Sequence, residues 1–141
     1  MAPAILAAML PVELATIRLF VHVLAATVWV GGQLTLAGLV PGLRALGPDA
    51  PRTVARRFNR IAWPAFAVLF LTGLWNLSEI RVGDQPSEWV VTLFAKLMVV
   101  ALSGISAALH TRAATKRTLA IWGGLSGLTA LAAVFFGVQL G

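Results

Sequence analysis

The chain contains no cysteine, so neither a disulfide nor thiolate ligation of a metal or haem is open to it. Charge is scarce as well. Only 11% of its 141 residues are Asp, Glu, Lys or Arg, about half the share usual in globular domains. No nucleophile–base–orienter set for hydrolysis can be assembled from it, and no glycine-rich phosphate loop is present. No ten-residue stretch alternates polar with apolar residues, as barrel strands do. The opening "MAPAILAAMLP" lacks the basic region and the small-residue cleavage site of a signal peptide. It reads as a short apolar lead-in to the first span.

What is present is apolar sequence. Hydrophobic residues make up 59% of the chain, with a mean hydropathy of +0.88. A soluble domain of this size cannot bury that much apolar surface, so the expected solvent is a lipid bilayer. Four stretches have spanning length: about 14–43, 61–77, 89–109 and 119–140. Together they predict an all-α, integral-membrane four-helix up-down bundle forming one domain over 1–141. The breaks are "PGLRALGPDAPRTVARRFNR", "SEIRVGDQPSE" and "TRAATKR".

Charge placement predicts the orientation. The first break carries Arg44, Arg52, Arg56, Arg57 and Arg60 against Asp49, and the third carries Arg112, Lys116 and Arg117 with no acid. The second opposes Arg81 with Glu79, Asp84 and Glu88. By the positive-inside rule, breaks one and three face the cytoplasm and both termini face outward, in the cytoplasmic (inner) membrane. The net charge of +6 then needs no nucleic-acid partner.

Ionisable groups within spans are costly and are functional candidates by default. His22 falls about 12 Å into span one and Lys96 about 10 Å into span three, so both occupy the outer half. His110 lies near the cytoplasmic end, which argues against a haem clamped between the two histidines. Helical phase aligns His22, Ala25, Ala26, Trp29, Gly32 and Gln33 on span one. On span three, Thr92, Lys96, Ser103, Ser106 and His110 share an arc of about 80°. Thr72, Trp75, Asn76 and Glu79 form a third stripe, and Arg18 and Gln139 are placed to close the top.

The expected site is therefore His22, Lys96, Asn76 and Arg18, with Trp29 as a wall. Each has a plainer reading. His22 may be read as a hydrogen-bonded interface residue, Lys96 as snorkelling to headgroups, and Trp29 and Trp75 as core. Trp63, Trp89 and Trp122 read as interfacial anchors, and the glycines of "WVGG", "LSGIS" and "IWGGLSG" as close-packing positions.

A single imidazole suits a metal or a porphyrin iron. Copper wants more soft ligands than one chain supplies: Met98 is the only methionine within a span, and it points away from Lys96. From residues alone, haem b is favoured over copper, with His22 as the metal ligand in either case.

"LFVHVLAATVWVGGQLTLAGLVPGLRAL", "RRFNRIAWPAFAVLFLTGLWNL" and "LFAKLMVVALSGISAALHTRAATKR" resemble the copper resistance D (CopD-like) membrane domain. That resemblance implies a helical bundle in the cytoplasmic membrane concerned with copper uptake or tolerance. The long members have about twice as many spans and carry Met- and His-rich outer segments that this chain lacks. The same elements are similar to the HemJ-type protoporphyrinogen oxidases, small four-span haem proteins. That likeness implies functional roles for His22 and Lys96. A third expectation is a cofactor-free accessory subunit of a larger membrane complex. A homodimer is also compatible with Gly123-x-x-x-Gly127.

Overall fold

The computed structural model describes residues 12–141; the lead-in read for residues 1–11 lies outside the described residues. Among those described the fold is all-helical, with no strand. Helix α1 spans Leu14–Leu46, α2 Ala50–Ser78, α3 Ser87–Arg112 and α4 Lys116–Leu140. Each is long and apolar enough to cross a membrane.

The helices start and stop for local reasons. Gly47 ends α1 with φ +144°, a conformation that side chains resist. Pro51 sits in the first turn of α2, where its missing N–H costs nothing. Thr115 opens α4 with a reciprocal cap: its hydroxyl accepts from Thr118 N (3.1 Å) and the Thr118 hydroxyl accepts from Thr115 N (3.2 Å).

Two expectations are corrected here. The first break is not a twenty-residue loop. Pro41 lies inside α1, and Arg52, Arg56, Arg57 and Arg60 lie on α2. Arginine is a good helix former, so α2 begins eleven residues before its apolar part. Trp63 is consequently not at a helix end. It packs in the interior against Trp29 (5.6 Å between ring centroids) and Phe66 (5.9 Å).

Interhelical contacts define the architecture. Trp89 at the start of α3 donates to the Leu140 carbonyl at the end of α4 (3.4 Å), and His110 bonds the Leu119 carbonyl at the opposite end (2.8 Å). These helices are therefore antiparallel. In α1 and α2, Arg18 pairs with Glu79, and Gly32 receives the Phe58 ring. That pair is antiparallel too. The two hairpins meet mainly where α1 makes a π turn, Thr27–Gly31. The Thr27 hydroxyl donates back to the Val23 carbonyl (2.9 Å) at its start. The core lies at this level: Trp29, Ala62 and Ala130, flanked by Phe58, Trp63, Phe66, Leu69 and Ala107.

Glycine packing is selective. Gly32, Gly104 and Gly123 face Phe58, Phe66 and His110, whereas Gly31, Gly124 and Gly127 face open space. Within the chain, close packing thus uses one glycine of each run, and Gly127 of the Gly123-x-x-x-Gly127 match takes no part in it.

Candidate functional site

Glu79, Asp84 and Glu88 mark one end of the bundle as acidic; Arg44, Arg52, Arg56, Arg57, Arg60, Arg112, Lys116 and Arg117 mark the other as basic. Midway between them, one polar layer ties three helices together. Trp29, 4% exposed, donates its indole N–H to Ser103 Oγ (3.1 Å). Ser103 Oγ donates to the Ser126 carbonyl (3.0 Å), and Ser126 Oγ to the Ser103 carbonyl (3.1 Å). Gln33 Oε1 lies 3.0 Å from Ser126 Oγ, while Gln33 Nε2 is buried without a partner among the described residues. Ser126 has one hydroxyl proton and faces two acceptors. Turning the Gln33 amide by 180° resolves both problems: Nε2 donates to Ser126 Oγ, whose own proton goes to Ser103.

In lipid, such bonds average well under 1 kcal/mol, because the unfolded helices find other partners. Ser126 takes part in several. Ser126→Ala is therefore expected to cost about 1 kcal/mol, read as an earlier midpoint in a mixed-micelle unfolding titration, with His22 undisturbed.

This layer provides a ruler. His22 precedes Trp29 by seven residues, and Lys96 precedes Ser103 by seven. Each side chain therefore lies nearer the acidic end than its reference residue, by about 10 Å along a regular helix. His22 and Lys96 are on different hairpins, both on the acidic side of the polar layer.

Each has a glycine seat. A Cβ at Gly73 would lie 3.4 Å from His22 Cε1, and one at Gly137 would lie 3.3 Å from Lys96 Nζ. Gly137 is close to the acidic end of α4, so the lysine side chain climbs toward that end along α4, inside the bundle. Lys96 Nζ has no hydrogen-bond or ion-pair partner among the described residues.

The imidazole's protonation follows from its neighbour. Thr72 Oγ1 donates to the Val68 carbonyl at 2.7 Å, leaving only lone pairs for the imidazole. His22 Nδ1, 2.9 Å away, must therefore carry the ring proton and donate. Nε2 then holds an uncommitted lone pair, the arrangement a metal-ligating histidine requires.

The remaining expected residues divide. Arg18 forms an ion pair with Glu79 (3.3 Å) and lies 5.8 Å from the centre of the Trp75 ring. The Trp75 indole also donates to Glu79 (3.3 Å). These three cap the acidic end one turn above His22, and Trp75 is exposed there rather than lining a pocket. Asn76 makes no side-chain hydrogen bond among the described residues. Gln139 lies over the α3–α4 groove beside Glu88, Trp89 and Thr92, not above His22. His110 binds the Leu119 carbonyl and packs on Gly123, which is a clamp between helices. Sequence reasoning put Thr72 in a polar stripe without its role as the His22 partner, and missed the seats at Gly73 and Gly137. A small residue opposite each buried ionisable one was the available signal.

Between the polar layer and the acidic end, the fully buried residues are small or polar: Ala25, Thr72, Thr129 and Ala130. Among the described residues no group of three or more His, Cys, Asp or Glu side chains is placed to hold a metal ion. Haem iron needs one imidazole, and His22 fits that requirement.

The chain is 33% identical to an uncharacterized protein of Aquifex aeolicus (strain VF5), over a 136-residue alignment covering 86% of this chain and 92% of the relative. The chain belongs to the same family as that protein. No protein-family profile matches the chain, and no solved structure does.

Proposed function

We propose that this chain is a CopD-like, multi-pass protein of the cytoplasmic membrane that binds haem b in the outer half of its bundle, with His22 as the residue that would hold the iron. The acidic end faces outward and the basic end faces the cytoplasm, following the positive-inside rule. The single observation that carries the cofactor reading is the Thr72 bond to His22 Nδ1, which leaves Nε2 free to act as a ligand. Lys96, in the same half as His22, offers a cation to a propionate. A bound haem would supply one-electron redox chemistry.

The placement of His22 and Lys96 in the same half favours a second reading, a HemJ-like oxidase acting on a porphyrinogen. In that case the haem-loaded protein would oxidise protoporphyrinogen with an added electron acceptor, and Lys96→Ala would lose that activity while keeping its haem. The deciding experiment is an absorption spectrum with iron and copper analysis on detergent-purified protein. A Soret band with iron near one per chain is expected. Copper at one per chain would instead support copper handling. Neither metal, with stable co-purifying proteins, would support an accessory subunit.

A further inference from the structure

The basic end carries an array that the helical course of α2 creates. Thr53, Arg56, Arg57 and Arg60 line one shallow, open surface recess. Their spacing places all four within an arc of about 100° on one helix face. On the opposite face Phe58 enters the space at Gly32, and Ala62 is buried in the core. Those contacts fix the rotation of α2, so the arginine face points directly away from the bundle.

Depth identifies what that face meets. Arg60 adjoins Ile61, where the apolar part of α2 begins. Arg56 and Arg57 lie about 5 Å further along the axis, a distance comparable to one headgroup layer. No acid offsets them: among the described residues the one ion pair is Arg18–Glu79, at the far end. Asp49 is the only carboxylate at the basic end.

We infer that Arg56, Arg57, Arg60 and Thr53 form a binding site for the phosphate headgroup of an anionic phospholipid. Guanidinium forks match phosphate oxygens bidentately, and the Thr53 hydroxyl adds a hydrogen bond at the outer rim. The inference rests on the membrane reading above but not on the haem.

The test is native mass spectrometry of the full chain released from micelles containing phosphatidylglycerol or phosphatidylcholine. Retention of phosphatidylglycerol over phosphatidylcholine is expected. Each arginine removed should weaken it about fivefold, and the R56Q/R57Q/R60Q variant roughly 100-fold. The R112Q/K116Q/R117Q variant removes equal charge from the same end outside the recess and should retain lipid. Circular dichroism confirms folding of both, and single R57Q serves if the triple variant does not fold.

Equal losses in both triple variants would overturn the site, leaving only general attraction to the membrane. So would displacement of the lipid by millimolar inorganic phosphate, which would mark a soluble-anion site. Unselective lipid retention with the fold intact would overturn the inference while leaving membrane insertion standing.

Discussion

Trp29→Ala is expected to destabilise the bundle by about 3 kcal/mol, the largest effect of any single truncation in the chain. The indole packs on Phe66 (4.4 Å between centroids) and Trp63, and donates to Ser103 on the other hairpin. Truncation therefore opens a cavity in the aromatic cluster and removes a bond between hairpins. In lipid the lost term is packing rather than escape from water, which places the cost at the low end of the aromatic-to-alanine range. Trp29→Phe separates the two contributions. It keeps most of the ring contact, loses the Ser103 bond, and should cost about 1 kcal/mol. Mixed-micelle unfolding titrations measure both. A Trp29→Ala cost no greater than that of Trp29→Phe would remove the cluster from the centre of this account.

His22→Ala should abolish haem retention while leaving helicity and the unfolding midpoint nearly unchanged. The imidazole is only partly buried and makes one side-chain bond, so its structural share is small. Its ligand share is large, since the other histidine, His110, lies at the opposite end of the bundle. Thr72→Val is the finer probe. It keeps the volume, removes the oxygen that orients Nδ1–H, and should weaken haem binding between 10- and 100-fold, as loss of such supporting bonds generally does. Lys96→Ala acts on the other side: ligation persists, and affinity falls only by the lost pairing with a propionate. If Thr72→Val retains haem like the native chain while His22→Ala loses it, ligation by His22 stands and the orienting role of Thr72 fails.

Much of the fold was legible in residues 14–140 because its signal is long-range and redundant: apolar runs of spanning length separated by charge. Helix ends were less so. Hydropathy reports where α2 is apolar, not where it begins, so Arg52 to Arg60 read as a loop although Pro51 and the helix-forming arginines continue the helix. Trp63 was misplaced for the same reason. That His22 and Lys96 both fall in the acidic half was readable from rise per residue. Their partners were not. Thr72 and Gly73 bear on His22 across an interface whose rotation no single-helix periodicity contains. The π turn at Thr27–Gly31 also alters the phase between His22 and Gln33, and nothing in "TVWVG" announces it.

In the proposed function, His22 offers a free Nε2 to a porphyrin iron. Titration of haem b into detergent-solubilised protein stripped of cofactor, run in parallel with His22→Ala, tests it most directly. The native chain should develop a Soret band that saturates at one haem per chain, and the variant should show only the spectrum of free haem. Equal binding curves for the two, or no saturable binding by the native chain, would contradict it.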